Sequence, residues 1–199
     1  KTWTHTGAFL SREKILQQFA HEYWYEEMKR NGFMVPHAEI TLPDAVLISS
    51  PSLPAGIINH LSASERREAF RACKGMALRS EVFARDAVKH ADTDAARKME
   101  LTPFSVATHN CLIELVQPKG SNKHAIFIVK ESEAITYSYE RNTADPRIAH
   151  NLNIKLDDYG NVLQAASIVY PRKIVNTSLP EATQKAQAET LITYTENNF

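Results

Sequence analysis

A catalytic site needs a nucleophile or a base, with a second group in reach to orient it. The run His109-Asn110-Cys111 contains the residue types from which a thiol hydrolase is built. In an extended strand, however, alternate residues share a face. His109 and Cys111 would stand together, while Asn110 would point away from the imidazole it should orient. A cysteine buried for packing is the simpler expectation for Cys111. His21-Glu22 opens as a zinc-binding helical pair does, but Tyr25 occupies the position one turn later where the second histidine ligand is required. Glu26-Glu27 is followed by Lys29 and Arg30, and Asp157-Asp158 falls in a turn. Both acidic pairs read as solvated charge, without the spaced oxygen ligands of a calcium loop.

Phosphate chemistry has no better support, since the chain has no Walker loop, no G-x-G-x-x-G, no G-x-S-x-G and only six glycines. Asn176-Thr177-Ser178 would accept a glycan only in a eukaryotic secretory pathway. The expectation is therefore a chain that is not an enzyme, with no catalytic, cofactor-binding or metal-binding residue and no cofactor. The sequence does offer a structural turn, Asp157-Asp158-Tyr159-Gly160-Asn161. There the Asp157 carboxylate can cap the turn amides, Gly160 can take positive φ, and Asn161 tolerates the left-handed region.

The elements that must position these residues come from a chain of 199 residues, 43% hydrophobic, which is enough to bury a core. Twenty-three basic and twenty-three acidic residues cancel, so no global field draws the protein to nucleic acid. Cys73 and Cys111 belong to no C-x-x-C pair, which argues against a disulfide framework and a structural zinc site. No run approaches the ~20 apolar residues that cross a bilayer, and the opening Lys1-Thr2-Trp3-Thr4-His5 lacks the apolar centre of a signal peptide. Direct membrane insertion is not expected, and the chain reads as a piece of a longer polypeptide.

Ile15, Leu16, Phe19, Tyr23 and Met28 recur at helical spacing and predict an amphipathic helix from Ser11, its N-cap, to Gly32. Pro36, Pro43, Pro51 and Pro54 then impose an extended arm. Ser62-Ala63-Ser64-Glu65 is a capping box, and the stripe Ala69, Phe70, Cys73, Met76, Ala77, Leu78, Val82 and Phe83 predicts a long second helix. Gly75 inside that stripe suggests close approach by another backbone. A polar stretch over 89–100 separates the halves. Beyond Thr102 the period becomes two, with Cys111, Ile113 and Leu115 in one strand, Ile135, Tyr137 and Tyr139 in another and Ile148 to Leu156 in a third, while 125–129, apolar on both faces, reads as a strand covered on both sides. Turn residues at 118–122, 142–146 and 157–161 join them as hairpins. A short helix over 180–189 and a strand over 191–195 close the chain. The fold class expected is α+β: two amphipathic helices and a proline-rich arm over 1–101, and an antiparallel meander of about five strands over 102–199, packed as one unit.

The run from Tyr137 to His150, Tyr-Ser-Tyr-Glu-Arg-Asn-Thr-Ala-Asp-Pro-Arg-Ile-Ala-His, followed by Asp157 to Val162, resembles the middle region of the B component of bacterial Tc (toxin complex) insecticidal toxins. The likeness extends to Trp3 to Phe9, to Leu42-Pro43-Asp44, to Arg66-Arg67-Glu68-Ala69, to Lys74 through Val82, and to Tyr194-Thr195-Glu196-Asn197. It implies a structural segment of a secreted toxin subunit. In that family the B component joins a C component whose tyrosine-aspartate (Rhs) repeats build a hollow β-sheet shell around a cytotoxic effector, which then passes into the pore-forming A component. The implied partners are the remainder of the B component, the C component and the A component. The turn at Asp157 to Asn161 is similar to one such repeat turn, and the resemblance carries over no catalytic residue. Two other readings stand beside it. One is a protein- or glycan-binding module anchored by Trp3, Tyr23, Trp24 and Tyr25, since aromatics dominate interface hot spots. The other is the thiol hydrolase on Cys111.

Overall fold

The computed structural model describes residues 1–8, 15–35, 38–84 and 93–198. Eight strands form one sheet: β1 Thr2–Thr4, β2 Val46–Ser49, β3 Ala77–Val82, β4 Ser105–Gln117, β5 Ile126–Ser138, β6 Arg147–Leu156, β7 Val162–Val169 and β8 Leu191–Glu196. Four α-helices accompany them among the described residues: α1 Trp24–Arg30, α2 Ala63–Ala72, α3 Asp94–Leu101 and α4 Glu181–Gln187. The order across the sheet is β1-β3-β4-β5-β6-β7-β8, every neighbour antiparallel. Off this path, β2 runs parallel to the second half of β4.

The expectation of two helices and about five strands is thus corrected to four helices and eight strands. The error lies mostly before residue 102. The apolar stripe read as one long helix is cut at Ala72, because Gly75 takes φ +85 and its amide donates to the His5 carbonyl. An added Cβ at Gly75 would meet nothing within 4 Å, so positive φ and not crowding requires glycine there. Beyond it Ala77–Val82 leaves the helix and pairs with both β1 and β4. The first helix is also shorter than predicted: two 3-10 turns, Ile15–Gln17 and Ala20–Glu22, precede α1, and the expected cap Ser11 lies outside the described residues. The arm contains β2, and part of the polar stretch is α3, capped by Thr93, whose hydroxyl accepts from Ala96 N at 3.2 Å. In the second half, the strands expected over 125–129 and 135–139 are one continuous β5. Tertiary pairing decided each of these, and local periodicity cannot report it.

The capping box forms as written: Glu65 N donates to Ser62 Oγ at 3.3 Å, and Ser62 N donates to Glu65 Oε2 at 2.9 Å. The three predicted turns are the β4–β5, β5–β6 and β6–β7 connections. A first core cluster joins Trp24, Met28, Leu42, Leu78, Val106, Ile135, Tyr137 and Tyr139. A second joins Ala69 and Cys73 of α2 to Cys111 and Ile113 of β4. Even and odd positions of a strand point to opposite faces, so Val106 and Ile113 put these clusters on the two sides of β4. The sheet is therefore covered on both faces where β3, β4 and β5 meet, and thins toward β8.

Candidate functional site

The most charged place in the interior is built on β3. Arg79 and Glu81 stand two apart on the strand and so share a face, and Arg79 is opposite Thr108 of β4 in the register. Arg79 Nε donates to Glu81 Oε1 at 2.8 Å, while Nη1 donates to Glu39 Oε2 at 2.7 Å and to Thr108 Oγ1 at 3.1 Å. Glu39 comes from the arm and is itself held on Oε1 by Trp24 Nε1 and by the Tyr139 hydroxyl, both at 2.9 Å. The Trp24 amide, at the start of α1, donates to Glu81 Oε1 at 3.1 Å. The Arg79 guanidinium lies over the Tyr23 ring at 4.4 Å and beside that of Tyr25 at 5.8 Å. Only 3% of the Arg79 side chain is exposed.

Burial by itself would lower the Arg79 pKa, but Glu39 and Glu81 outweigh it and the guanidinium is held charged. Glu81 is pushed up by burial, against the pull of Arg79. Burial also raises Tyr23 and Tyr137 to about 12, and raises Tyr139, where Glu39 adds to the effect. These phenols are hydrogen-bonding groups and not proton-transfer groups at neutral pH. The centre is therefore a buried ionic clasp that ties the arm, α1 and the sheet together, with a cavity of about 440 Å3 alongside. The helix expected through Val82 hides it, because at helical spacing Arg79 and Glu81 do not share one face. The signal available was their i, i+2 spacing with opposite charge.

The expected candidates fall elsewhere. His109 and Cys111 do not make a catalytic pair: His109 Nδ1 bonds Glu131 Oε1 at 2.6 Å, whereas the Cys111 thiol is fully buried against that of Cys73. Its hydrogen bond with Cys73, then burial, push the Cys111 pKa up, which favours the protonated thiol at that position. Asn110 Oδ1 accepts from the Cys111 amide at 2.6 Å and orients no imidazole. His21 is exposed beside Glu22, whose carboxylate accepts from Trp3 Nε1 at 2.7 Å. Glu26 pairs with Lys29 at 2.7 Å, and Glu27 pairs with Lys1. The Asn176 side chain accepts from Ser178 in an exposed turn. Trp3, Tyr23 and Trp24 are buried and Tyr25 is half-buried, so they form the roof of the Arg79 clasp and do not stand free as anchors. Among the described residues no group of three or more His, Cys, Asp or Glu could hold a metal ion. No described helix is long and apolar enough to cross a membrane.

The turn at the end of β6 has the geometry of a side-chain-capped hairpin. Asp157 Oδ1 accepts from the amides of Tyr159 at 2.9 Å and Asn161 at 2.8 Å, and Oδ2 accepts from Asn161 Nδ2 at 2.8 Å. Positive φ falls on Gly160, at +91. The turn is anchored from beneath: the Lys130 ammonium, paired with Glu114 in the interior, donates to the Asp157 carbonyl at 2.7 Å. A second tie comes from Asp145 in the β5–β6 connection. It accepts from Arg172 Nε and from Lys173 N, both at 2.8 Å, and so holds the chain leaving β7. From there β8 returns as the outer strand, exposed along its whole length, with Leu191, Ile192 and Tyr194 all more than half in solvent.

A mixed sheet with a buried ionic clasp, capped hairpins and a bare apolar edge defines a structural β module. Residues 68–198 match the family described as the insecticide toxin TcdB middle/C-terminal region, and the chain belongs to that family. Among solved structures it is similar to the crystal structure of TcdB2-TccC3-TEV, with a TM-score of 0.67 at 20% identity, over 100% of this chain and 9% of that one. It is likewise similar to TcdB2-TccC3-Cdc42, with a TM-score of 0.64 at 18% identity, over 100% of this chain and 9% of that one. A Photorhabdus luminescens Tc holotoxin pore, carrying a mutation in TccC3, gives a TM-score of 0.62 at 18% identity, over 100% of this chain and 8% of that one. This chain thus spans less than a tenth of the length of the chains it resembles, and at these identities the likeness is one of fold. No curated protein sequence matches it.

Proposed function

We propose that this chain is a structural, non-enzymatic segment of a secreted bacterial toxin subunit, and that it helps form the shell that encloses and delivers a cytotoxic effector. The remainder of the toxin B component, the C component and the pore-forming A component are its partners on this reading. The observation that carries it is the outer edge of β8. A terminal strand with unpaired backbone groups and exposed Leu191, Ile192 and Tyr194 is a template for a further strand. Family membership and the solved structures of TcdB2 with TccC3 support the same assignment. The inward-facing ionic clasp and the capped Asp157 turn serve rigidity, as a wall segment requires. The test is amide hydrogen exchange of Leu191–Glu196 in this chain alone and within the complete subunit bound to its C component. Protection of the β8 amides that appears only in the assembly is the expected result; equal, rapid exchange in both states removes the shell role for this edge.

A further inference from the structure

We propose that His5 is an acid-operated latch. While neutral it ties the turn after β1 to the body of the protein through Gly7; once protonated it is drawn to the Asp44 carboxylate, releases Gly7 and loosens β1 from the outer edge of β3. The latch is independent of the shell role. His5 is 1% exposed and prolongs the pairing of β1 with β3. Its amide donates to the Met76 carbonyl and its carbonyl accepts from Gly75 N, both at 2.9 Å. Phe70 of α2 stacks on the imidazole, with ring centroids 6.3 Å apart and planes 10° from parallel. Gly7 then folds back, packed against the stem of Lys74 and the backbone of Arg71, and its amide donates to His5 Nδ1 at 2.9 Å.

A ring nitrogen that accepts a hydrogen bond carries no proton, so neutral His5 holds its proton on Nε2. That N–H is buried, and among the described residues it has no partner; Asp44 Oδ1, from the arm, is likewise buried and unpartnered. Unmet groups of this kind are rare in folded proteins, and here one is a donor and the other an acceptor. A proton added at Nδ1 turns the Gly7 contact from attraction to repulsion, because the imidazolium has two donors and no acceptor. The new charge is attracted to Asp44, the charged group that acts on this ring. From α2 the ring meets Phe70, while the α2 cations Arg71 and Lys74 lie against Gly7; β3 offers it only backbone, at Gly75 and Met76. Cys111 of β4, also influenced by Asp44, favours its neutral thiol. Burial, outweighing Asp44, holds the His5 pKa below its ordinary 6.5. With the folded value lowered, the open chain binds the proton first as pH falls. The latch is therefore fully effective above about pH 6.5 and is lost from there down to the folded value. Brief local opening is enough for the buried ring to equilibrate with protons.

The test is a titration of the full chain from about pH 8 to about pH 5, with the His5 ring nitrogens followed by NMR and the amide protection of His5, Gly7 and Gly75 by hydrogen exchange. An Nε2-protonated tautomer at the upper end and a midpoint below 6.5 are expected. Protection at the three amides should fall with that midpoint, about tenfold for each pH unit by which it lies below 6.5, while the amides pairing β7 with β8 keep theirs. His5→Gln gives Gly7 an oxygen acceptor that does not titrate, so protection should persist at neutral pH and the pH step should vanish. Asp44→Asn keeps the ring, should lower its midpoint further, and serves if the first variant is misfolded. An Nδ1-protonated tautomer at neutral pH, a midpoint at or above 6.5, a pH step that survives in folded His5→Gln, or a midpoint unmoved in Asp44→Asn would each overturn the proposal.

Discussion

Replacing Arg79 by Met keeps the volume and apolar stem of the side chain and removes only its charge and donors. In the native protein those donors reach Glu81, Glu39 and Thr108, and the acceptors around them are nearly inaccessible: Glu39 is 8% exposed and Glu81 fully buried on their side chains. The variant would leave two interior carboxylates facing one another across an apolar methionine. Breaking a buried ion pair by deleting one partner costs about 3–5 kcal/mol, and a domain of this length loses about 2–4 °C of melting temperature per kcal/mol. A fall of roughly 6 to 20 °C is therefore expected by differential scanning calorimetry near pH 7. The pH dependence carries a second signature. The folded-state pKa of Glu81 is already raised by burial against the pull of Arg79, and removing Arg79 raises it further. A carboxylate with a raised folded pKa favours the folded state when protonated, and that contribution is lost as pH rises through the folded value. The deficit of Arg79→Met should accordingly shrink on acidification toward the carboxylate range. Refutation would be a loss below about 1 kcal/mol at pH 7, or a deficit that grows as pH falls.

Two further outcomes follow from the caps. Ser62→Ala should lower stability by about 1 kcal/mol in a denaturant titration, because the Glu65 amide loses its acceptor at the start of α2; no change would mean that the box contributes nothing. Asp157 has its pKa lowered by the Asn161 side chain first and by the turn amides after it, so its contribution is complete above pH 3.8 and lost as pH falls through a folded value below that. Gly160 and Asn161 amide exchange should accordingly quicken only in strong acid, and Asp157→Ala should abolish that pH step while quickening exchange at neutral pH.

The second half was legible because its information is local. The alternation of Cys111, Ile113 and Leu115 and the turn residues around 118–122, 142–146 and 157–161 each specify a strand or a hairpin within a few residues, and β4 to β7 are joined by those turns. The first half resisted because its strands have distant partners. β1 pairs with Arg79 and Ser80, and β2 pairs with 112–115, in neither case through a turn. The segment over 77–82, Ala-Leu-Arg-Ser-Glu-Val, satisfies a helical stripe as well as a strand; Gly75 at positive φ ends the helix before it. The ionic site was lost with that misassignment. Once Arg79 and Glu81 are placed on a strand they share a face, but Glu39, the arm residue that completes the clasp, is connected to them by no pattern in the chain.

The same correction changes where recognition can occur. Trp3, Tyr23, Trp24 and Tyr25, the aromatic residues best suited by type to grip a partner, are consumed in enclosing Arg79: Trp3 packs edge-on against Tyr23, Trp24 against Tyr139, and the guanidinium lies on Tyr23. Desolvation of that kind is what makes a charged clasp rigid, since the low-dielectric surroundings strengthen each of its bonds. Two kinds of contact remain outside the clasp: exposed side chains such as Tyr159 and Tyr194, and the backbone of the outermost strand. The second needs no particular side chain, because an open strand edge is read through amides and carbonyls at the fixed spacing of a sheet. At 18–20% identity to the TcdB2 chains, most side chains have changed while the fold persists. An edge recognised through its backbone is the contact best able to survive that much substitution, and this is why the proposed shell role rests on β8 and not on an aromatic patch.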